Sequence, residues 1–168
     1  MTTLYLVRHG ETIDNANRIM QGQTQGELNA TGIEQARRLA DEMSGVHIDA
    51  FVSSDLKRAY DTCKIIAGPH GKEVAVTPLL RERDWGGFTG RYIPDLKNEP
   101  WPDDIESVEA LKERAARFID YLKASYPGKV VLAVGHGIIN KAVQSVLFGK
   151  DMKDIPPMRN TEVRKLTL

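Results

Sequence analysis

Two stretches of the chain place a histidine where chemistry is commonly done. Near the start, the apolar run Leu4-Tyr5-Leu6-Val7 breaks into Arg8-His9-Gly10-Glu11-Thr12. The apolar half reads as a buried strand, and Gly10 lets the backbone turn sharply just past a basic side chain and an imidazole. Near the other end, Val130 to Val134 leads into Gly135-His136-Gly137, which repeats the pattern. Ligands of open parallel α/β sheets bind just outside the carboxyl ends of the strands, so these two histidines suit nucleophilic or acid–base chemistry. One such tripeptide alone is as readily a turn with a surface histidine. Two in one chain make coincidence a poor explanation.

The intervening sequence supplies the elements that must position them. Ile13 to Glu27 is polar and glycine-bearing, with Asn15, Arg18, Gln21 and Gly22 along it; it reads as an irregular loop with one helical turn, long enough to suggest a binding role. Thr31 and Glu34 form a capping box ahead of a helix over 32–43, and Ile48 to Val52 is a second strand. Ser53-Ser54-Asp55 offers N-cap residues for a helix reaching Ala67. Arg58 lies in that helix's first turn, where a cation opposes the macrodipole; it is either a solvated side chain or a partner for a bound anion. Val74 to Thr77 is a third strand, followed by Leu80-Arg81-Glu82-Arg83 and a glycine-rich loop at Trp85 to Gly90.

An excursion over 85–106 is rich in Pro, Asp and Trp; Trp85 and Trp101 could close over a ligand, with anchoring of the excursion to the core the expected role. Ser107 caps a helix that stops at Tyr126-Pro127-Gly128, the second histidine strand follows, then a helix over 138–147 and a last strand within 162–168. About five strands interleaved with four helices predict a three-layer α/β/α sandwich around a mainly parallel central sheet. Right-handed crossovers are expected to bring the ends of the first and fifth strands together.

Composition narrows the classes. At 168 residues the chain suits a single domain over 1–168, with the excursion as a short cap. Its 23 Lys and Arg balance 23 Asp and Glu, leaving no global field for nucleic acid or an anionic membrane. No segment reads as transmembrane or as a signal peptide, so a cytoplasmic home is expected. The single cysteine, Cys63, has no partner for a disulfide or a zinc site and is expected to pack as a small apolar residue. His47 and His70 read as surface residues.

Arg8-His9-Gly10-Glu11-Thr12 with Asn15, the run Ser53-Ser54-Asp55-Leu56-Lys57-Arg58-Ala59, Leu80-Arg81-Glu82 before a glycine-rich loop, and Gly135-His136-Gly137 together resemble the signatures of the histidine phosphatase superfamily, the phosphoglycerate mutase-like fold. The resemblance covers essentially the whole chain, with all four motifs in the family's order. It implies phosphoryl transfer through a phosphohistidine on His9, with Arg8, Arg58 and His136 facing the phosphoryl oxygens and Glu82 giving a proton to the leaving oxygen. Asn15 and the amide of Gly137 would complete the cradle, with Gln21 and Gly22 at its rim. No metal and no cofactor are implied. The alternative for Glu82 is an ion pair with Arg81 or Arg83.

The resemblance also bears on the outcome of the reaction. The family's mutases close the site with a long insertion after the proton-donor glutamate and with a C-terminal tail; here the stretch from Glu82 to Ser107 is short. Ile138 follows the second His-Gly pair, where those mutases carry a polar residue. Both departures favour a phosphomonoesterase over a phosphoglycerate mutase, with a non-catalytic phospho-ligand domain as a third possibility. Gly26-Glu27-Leu28-Asn29 stands where many members have Asp-x-Pro-Leu-Thr, which leaves the loop's substrate contacts open. The expected partner is a small phosphorylated metabolite. Arg83, Arg91 and Lys97 are candidates to read a carboxylate or second phosphate on it, or are simply solvated, and the oligomeric state stays open.

Overall fold

The computed structural model describes residues 1–168. Five strands, β1 (Thr3–Arg8), β2 (Ala50–Ser54), β3 (Val74–Thr77), β4 (Val130–Gly135) and β5 (Val163–Thr167), form one sheet in the order β3-β2-β4-β1-β5. Its helices are α1 (Ile13–Ala16), α2 (Ala30–Met43), α3 (Lys57–Ala67), α4 (Val108–Ser125) and α5 (Gly137–Phe148). Alternate residues of the strands feed two cores. Leu4, Leu6, Val131 and Ala133 pack against Leu111, Phe118 and Leu122 of α4 and Ile139 and Val143 of α5. Val7, Phe51, Leu132 and Val134 pack against Leu39 and Met43 of α2 and Ala59, Cys63 and Ile66 of α3. This is the three-layer α/β/α arrangement, and no helix is long and apolar enough to cross a membrane.

The sheet departs from the expectation at its edge. β5 runs antiparallel to β1, with Val163 opposite Val7, so the beginning of β5 lies beside the end of β1. The strand whose end truly adjoins that of β1 is β4, parallel to it and in register from Thr3 and Val130 to Arg8 and Gly135. The reversal follows from the connection. After α5 the irregular segment 149–162 returns to the carboxyl edge of the sheet, where Thr161 N–H donates to Arg8 O at 2.8 Å before β5 begins. The chain thus re-enters the sheet at the edge where β1 ends, and β5 runs back along it antiparallel.

Other local readings also shift. The second strand runs two residues further, over Ala50–Ser54, so Ser53 and Ser54 belong to it, and the N-cap of α3 is Leu56, which makes no side-chain cap bond. The N-cap of α2 is Asn29, whose Oδ1 accepts from Gly32 N–H at 2.8 Å, and helix starts at Ala30 rather than after Thr31. Asn29 wins because its amide also donates to Thr12 O at 3.3 Å, tying the helix start to the turn after β1. His47 is exposed beside Asp49, as expected, whereas His70 is half-buried, with Nε2 3.0 Å from Met43 O and its ring against Phe51. Cys63 is buried, and that burial pushes its thiol above the ordinary range, in keeping with a packing role.

The turn after β1 and the first turn of α2 meet backbone to backbone. A β-carbon on Gly32 would overlap the main chain of Glu11, and one on Gly10 would stand 2.6 Å from Gly32 O. Helix propensity alone favours Ala over Gly at position 32 by about 1 kcal/mol. The contact reverses that sign, and Gly32→Ala is expected to lower stability by about 1–3 kcal/mol in urea unfolding; a stabilised variant would show that the two backbones are not held this close.

Candidate active site

A cavity of about 320 Å³ opens at the carboxyl ends of β1 and β4. Eight of the nine residues singled out from the sequence line it: Arg8, His9, Asn15, Gln21, Gly22, Arg58, Glu82 and Gly137. The ninth, His136, is fully buried beneath the wall, its ring edge-on to His9 at 5.1 Å between centroids.

His9 is 2% exposed, and its Nδ1 lies 2.6 Å from Gly10 O. A carbonyl can only accept, so Nδ1 carries the ring proton and Nε2 keeps its lone pair. Burial, then the charge of Arg58, pull the imidazole from its ordinary 6.5 to about 3; the Gly10 bond opposes this and Arg8 adds to it. The flanking backbone is fixed. Gly10 N–H donates to Thr62 Oγ1 at 3.1 Å, and Asn160 Nδ2 to His9 O at 3.0 Å.

His136 is held well below its ordinary range, first by burial and then by Arg58, His9, Arg8 and Arg114. Its Nε2 lies 2.9 Å from Ser54 Oγ. That hydroxyl accepts from Leu56 N–H at 3.2 Å and, being buried, has no acceptor but Nε2 for its own proton, so it donates to the imidazole. The imidazole proton then sits on Nδ1, which is buried without a protein partner.

Arg58 is 1% exposed, which removes the solvated alternative. Its guanidinium gathers the loop around itself, donating to Gly22 O at 2.7 Å and to the carbonyls of Thr24 and Gln25. Gly26, at φ +70°, makes that approach feasible: a β-carbon there would stand 2.8 Å from Arg58 Cδ and from Gln21 Oε1. Arg8 donates from Nη1 to Met158 O at 2.8 Å. Burial lowers both guanidinium groups, Arg58 to about 10, while the Glu82 charge opposes the shift. The Nε of each is buried without an acceptor. Two guanidinium N–H groups and an imidazole N–H left unpaired in one cluster suit an anion.

Glu82 makes no side-chain ion pair with its neighbours. Its carboxylate accepts three backbone N–H groups: Arg83 at 2.8 Å and, at the start of α5, Ile139 at 3.0 Å and Ile138 at 3.1 Å. Arg81 instead forks onto Asp55 at 2.7 and 2.6 Å. Arg83 donates to Glu106 O at 2.8 Å and lies over the rings of Trp85 and Trp101. Arg91 pairs with Glu99 at the surface, and Lys97 lies outside this cavity. None of the three proposed anion readers therefore lines it.

The sequence reading missed several supporting residues. Arg114 donates to the carbonyls of Leu79, Arg81 and Glu82 at 3.0, 2.5 and 3.3 Å and forks onto Glu106, clamping the segment that carries Glu82. Thr12 caps α1, exchanging hydrogen bonds with Asn15, and its hydroxyl donates to Gln21 Oε1 at 3.0 Å. Lys141, one turn beyond Gly137 on α5, also lines the cavity. That i, i+4 spacing was the available signal. Trp85 lines it too, and Trp101 is 58% exposed, so the two indoles pack on each other rather than anchoring the excursion in the core.

The depressed imidazoles couple stability to pH. Between pH 6.5 and about 3 the unfolded chain binds a proton at His9 that the folded chain does not. Stability is therefore intact above pH 6.5 and falls as pH drops through that window, by at most about 1.4 kcal/mol per pH unit from His9. His136 acts in the same direction. The urea midpoint is expected to fall from pH 7 to pH 4.5, less steeply for His9→Asn; equal slopes would contradict a buried neutral His9.

Residues 4–168 match the histidine phosphatase superfamily (branch 1). A probable phosphoglycerate mutase, GpmB of Enterobacter sp. (strain 638), is 36% identical over 164 residues, covering 89% of this chain and 76% of that protein. The uncharacterized phosphatase PhoE of Bacillus subtilis (strain 168) is 34% identical over 167 residues, covering 97% and 84%. The structure of a mycobacterial glucosyl-3-phosphoglycerate phosphatase superposes with a TM-score of 0.89 at 28% identity, over 98% of this chain and 92% of that one. The chain belongs to the histidine phosphatase superfamily, whose members are phosphatases and mutases.

Proposed function

We propose that the protein is a metal-independent phosphomonoesterase of the cytoplasm, hydrolysing esters of small phosphorylated metabolites through a phosphohistidine on His9. One observation carries this reading. The Nδ1–H of His9 is committed to Gly10 O and the ring is held neutral, so Nε2 is a ready nucleophile at neutral pH. Nε2 attacks phosphorus in line as the P–O ester bond breaks, and the proton that the monoester monoanion brings is relayed through the Glu82 carboxylate to the departing oxygen. Arg8, Arg58 and the Nδ1–H of His136 face the phosphoryl oxygens, with Asn15, Gln21, Gly22 and the Gly137 amide around them. Water then gives its proton to Glu82 and attacks phosphorus. The P–N bond breaks, and neutral His9 and inorganic phosphate result.

Hydrolysis is favoured over transfer by the form of the cap. Within 85–106 the regular structure amounts to two short 3-10 turns, Gly86–Phe88 and Ile93–Leu96, which is little material to exclude water from a phosphoenzyme. Similarity to a probable phosphoglycerate mutase supports the second reading, phosphoglycerate mutase activity.

Phosphate release from p-nitrophenyl phosphate and small alkyl phosphates is expected to persist in EDTA and to fall by about a thousandfold or more in His9→Ala. Glu82→Gln is expected to slow alkyl esters about a hundredfold more than the p-nitrophenyl ester, whose leaving group needs no proton. Interconversion of 3- and 2-phosphoglycerate outpacing phosphate release would transfer the assignment to the mutase.

A further inference from the structure

The phosphate cavity is one of two that adjoin. A second, of about 500 Å³, is walled by Met20, Trp85, Phe88, Ile93, Leu96 and Trp101, and shares Met20, Trp85 and Ile93 with the first. From the three walls these two spaces share we propose that the site takes phosphomonoesters whose alcohol portion carries an aromatic or comparably flat apolar group, lodged in this annex. The inference rests on the phosphomonoesterase reading above and names the kind of substrate.

The annex is built rather than incidental. Trp101 stands edge-on to Trp85 at 5.5 Å and to Phe88 at 6.2 Å, which leaves the indole of Trp101 58% exposed. Ile93, in the same cavity, is 44% exposed. The guanidinium of Arg83, 4.8 Å from the Trp85 ring and 5.4 Å from that of Trp101, pins both indoles and is itself anchored on Glu106 O. Met20 and Ile93 are held by main chain: Met20 N–H donates to Arg91 O at 2.9 Å, Gly90 N–H to Met20 O at 2.7 Å, and Ile93 N–H to Arg18 O at 2.8 Å.

Chemistry points to the occupant. Lys97 is the one charged residue of the annex wall and is itself exposed. A polar alcohol portion would therefore exchange water for apolar walls, whereas a flat apolar one removes exposed indole and isoleucine surface from water. The shared walls Met20, Trp85 and Ile93 put the annex within reach of a group on the same molecule as the phosphate.

Binding and turnover separate this inference from the reading beneath it. Calorimetry would compare ethylphosphonate with 2-phenylethylphosphonate, neither of which has a scissile P–O–C bond, on wild type, Trp101→Ala and Ile93→Asn. Both substituted side chains are exposed, and two chemically different changes guard against a folding artefact. The phenyl compound is expected to bind wild type about tenfold or more tightly, and most of that advantage to vanish in each variant. Equal affinities, an advantage unchanged in both variants, or self-association of the wild type that Trp101→Ala abolishes would overturn the annex. Hydrolysis of ethyl phosphate and 2-phenylethyl phosphate, whose leaving alcohols are similarly acidic, is followed in parallel. Discrimination in binding without hydrolysis of either sinks the phosphomonoesterase reading alone; hydrolysis of both without discrimination sinks the annex alone; neither binding nor hydrolysis sinks both.

Discussion

The hydrogen bond from His9 Nδ1–H to the carbonyl of its own neighbour, Gly10, is the constraint on which the site depends. It is short in sequence but long in what must hold it. The Gly10 carbonyl keeps its direction because the Gly10 amide is tied to Thr62 on α3 and because the peptide lies flat against Gly32 at the start of α2. Asn160, from the segment that leads into β5, fixes the His9 carbonyl. Three separate elements thus set the angle of one imidazole, and a ring so held needs no reorganisation to present Nε2.

The second constraint is electrostatic. Arg8 and Arg58 are taken out of water beside neutral imidazoles, an arrangement that costs stability in the free protein. The fold offsets part of that cost with backbone carbonyls from Gly22 to Gln25 and from Met158, and with the charge of Glu82. Glu82 is in turn seated on amides at the start of α5 and clamped from behind by Arg114. A phosphoryl group entering this cluster would meet donors that the protein has left partly unpaired, which is binding energy available for the charge that develops in transfer.

Much of this was legible in the sequence because its signals are local. A strand running into Arg-His-Gly and a second into Gly-His-Gly each lie within a few residues, and the cavity brings His9 and Gly137 together with Arg58 and Glu82. The continuous apolar runs of the first and fourth strands fit a sheet covered on both faces, as the two cores show. What escaped depends on contacts that no local window contains. Arg114 reaches carbonyls more than thirty residues away, and Asn160 reaches His9 across 151. The direction of β5 was set by the path of 149–162, and the N-cap of α2 by a bond to Thr12. Arg58 read as ambiguous because its burial is a property of the loop that wraps it.

The most direct test of the account is to find the phosphoryl group. Wild type mixed with a phosphomonoester, quenched in alkali and examined by phosphorus NMR and peptide mass spectrometry, is predicted to carry an acid-labile, base-stable phosphoramidate on Nε2 of His9. Phosphate on Nδ1, on His136, on a carboxylate or hydroxyl, or turnover with no phosphoenzyme at any time point, would contradict it.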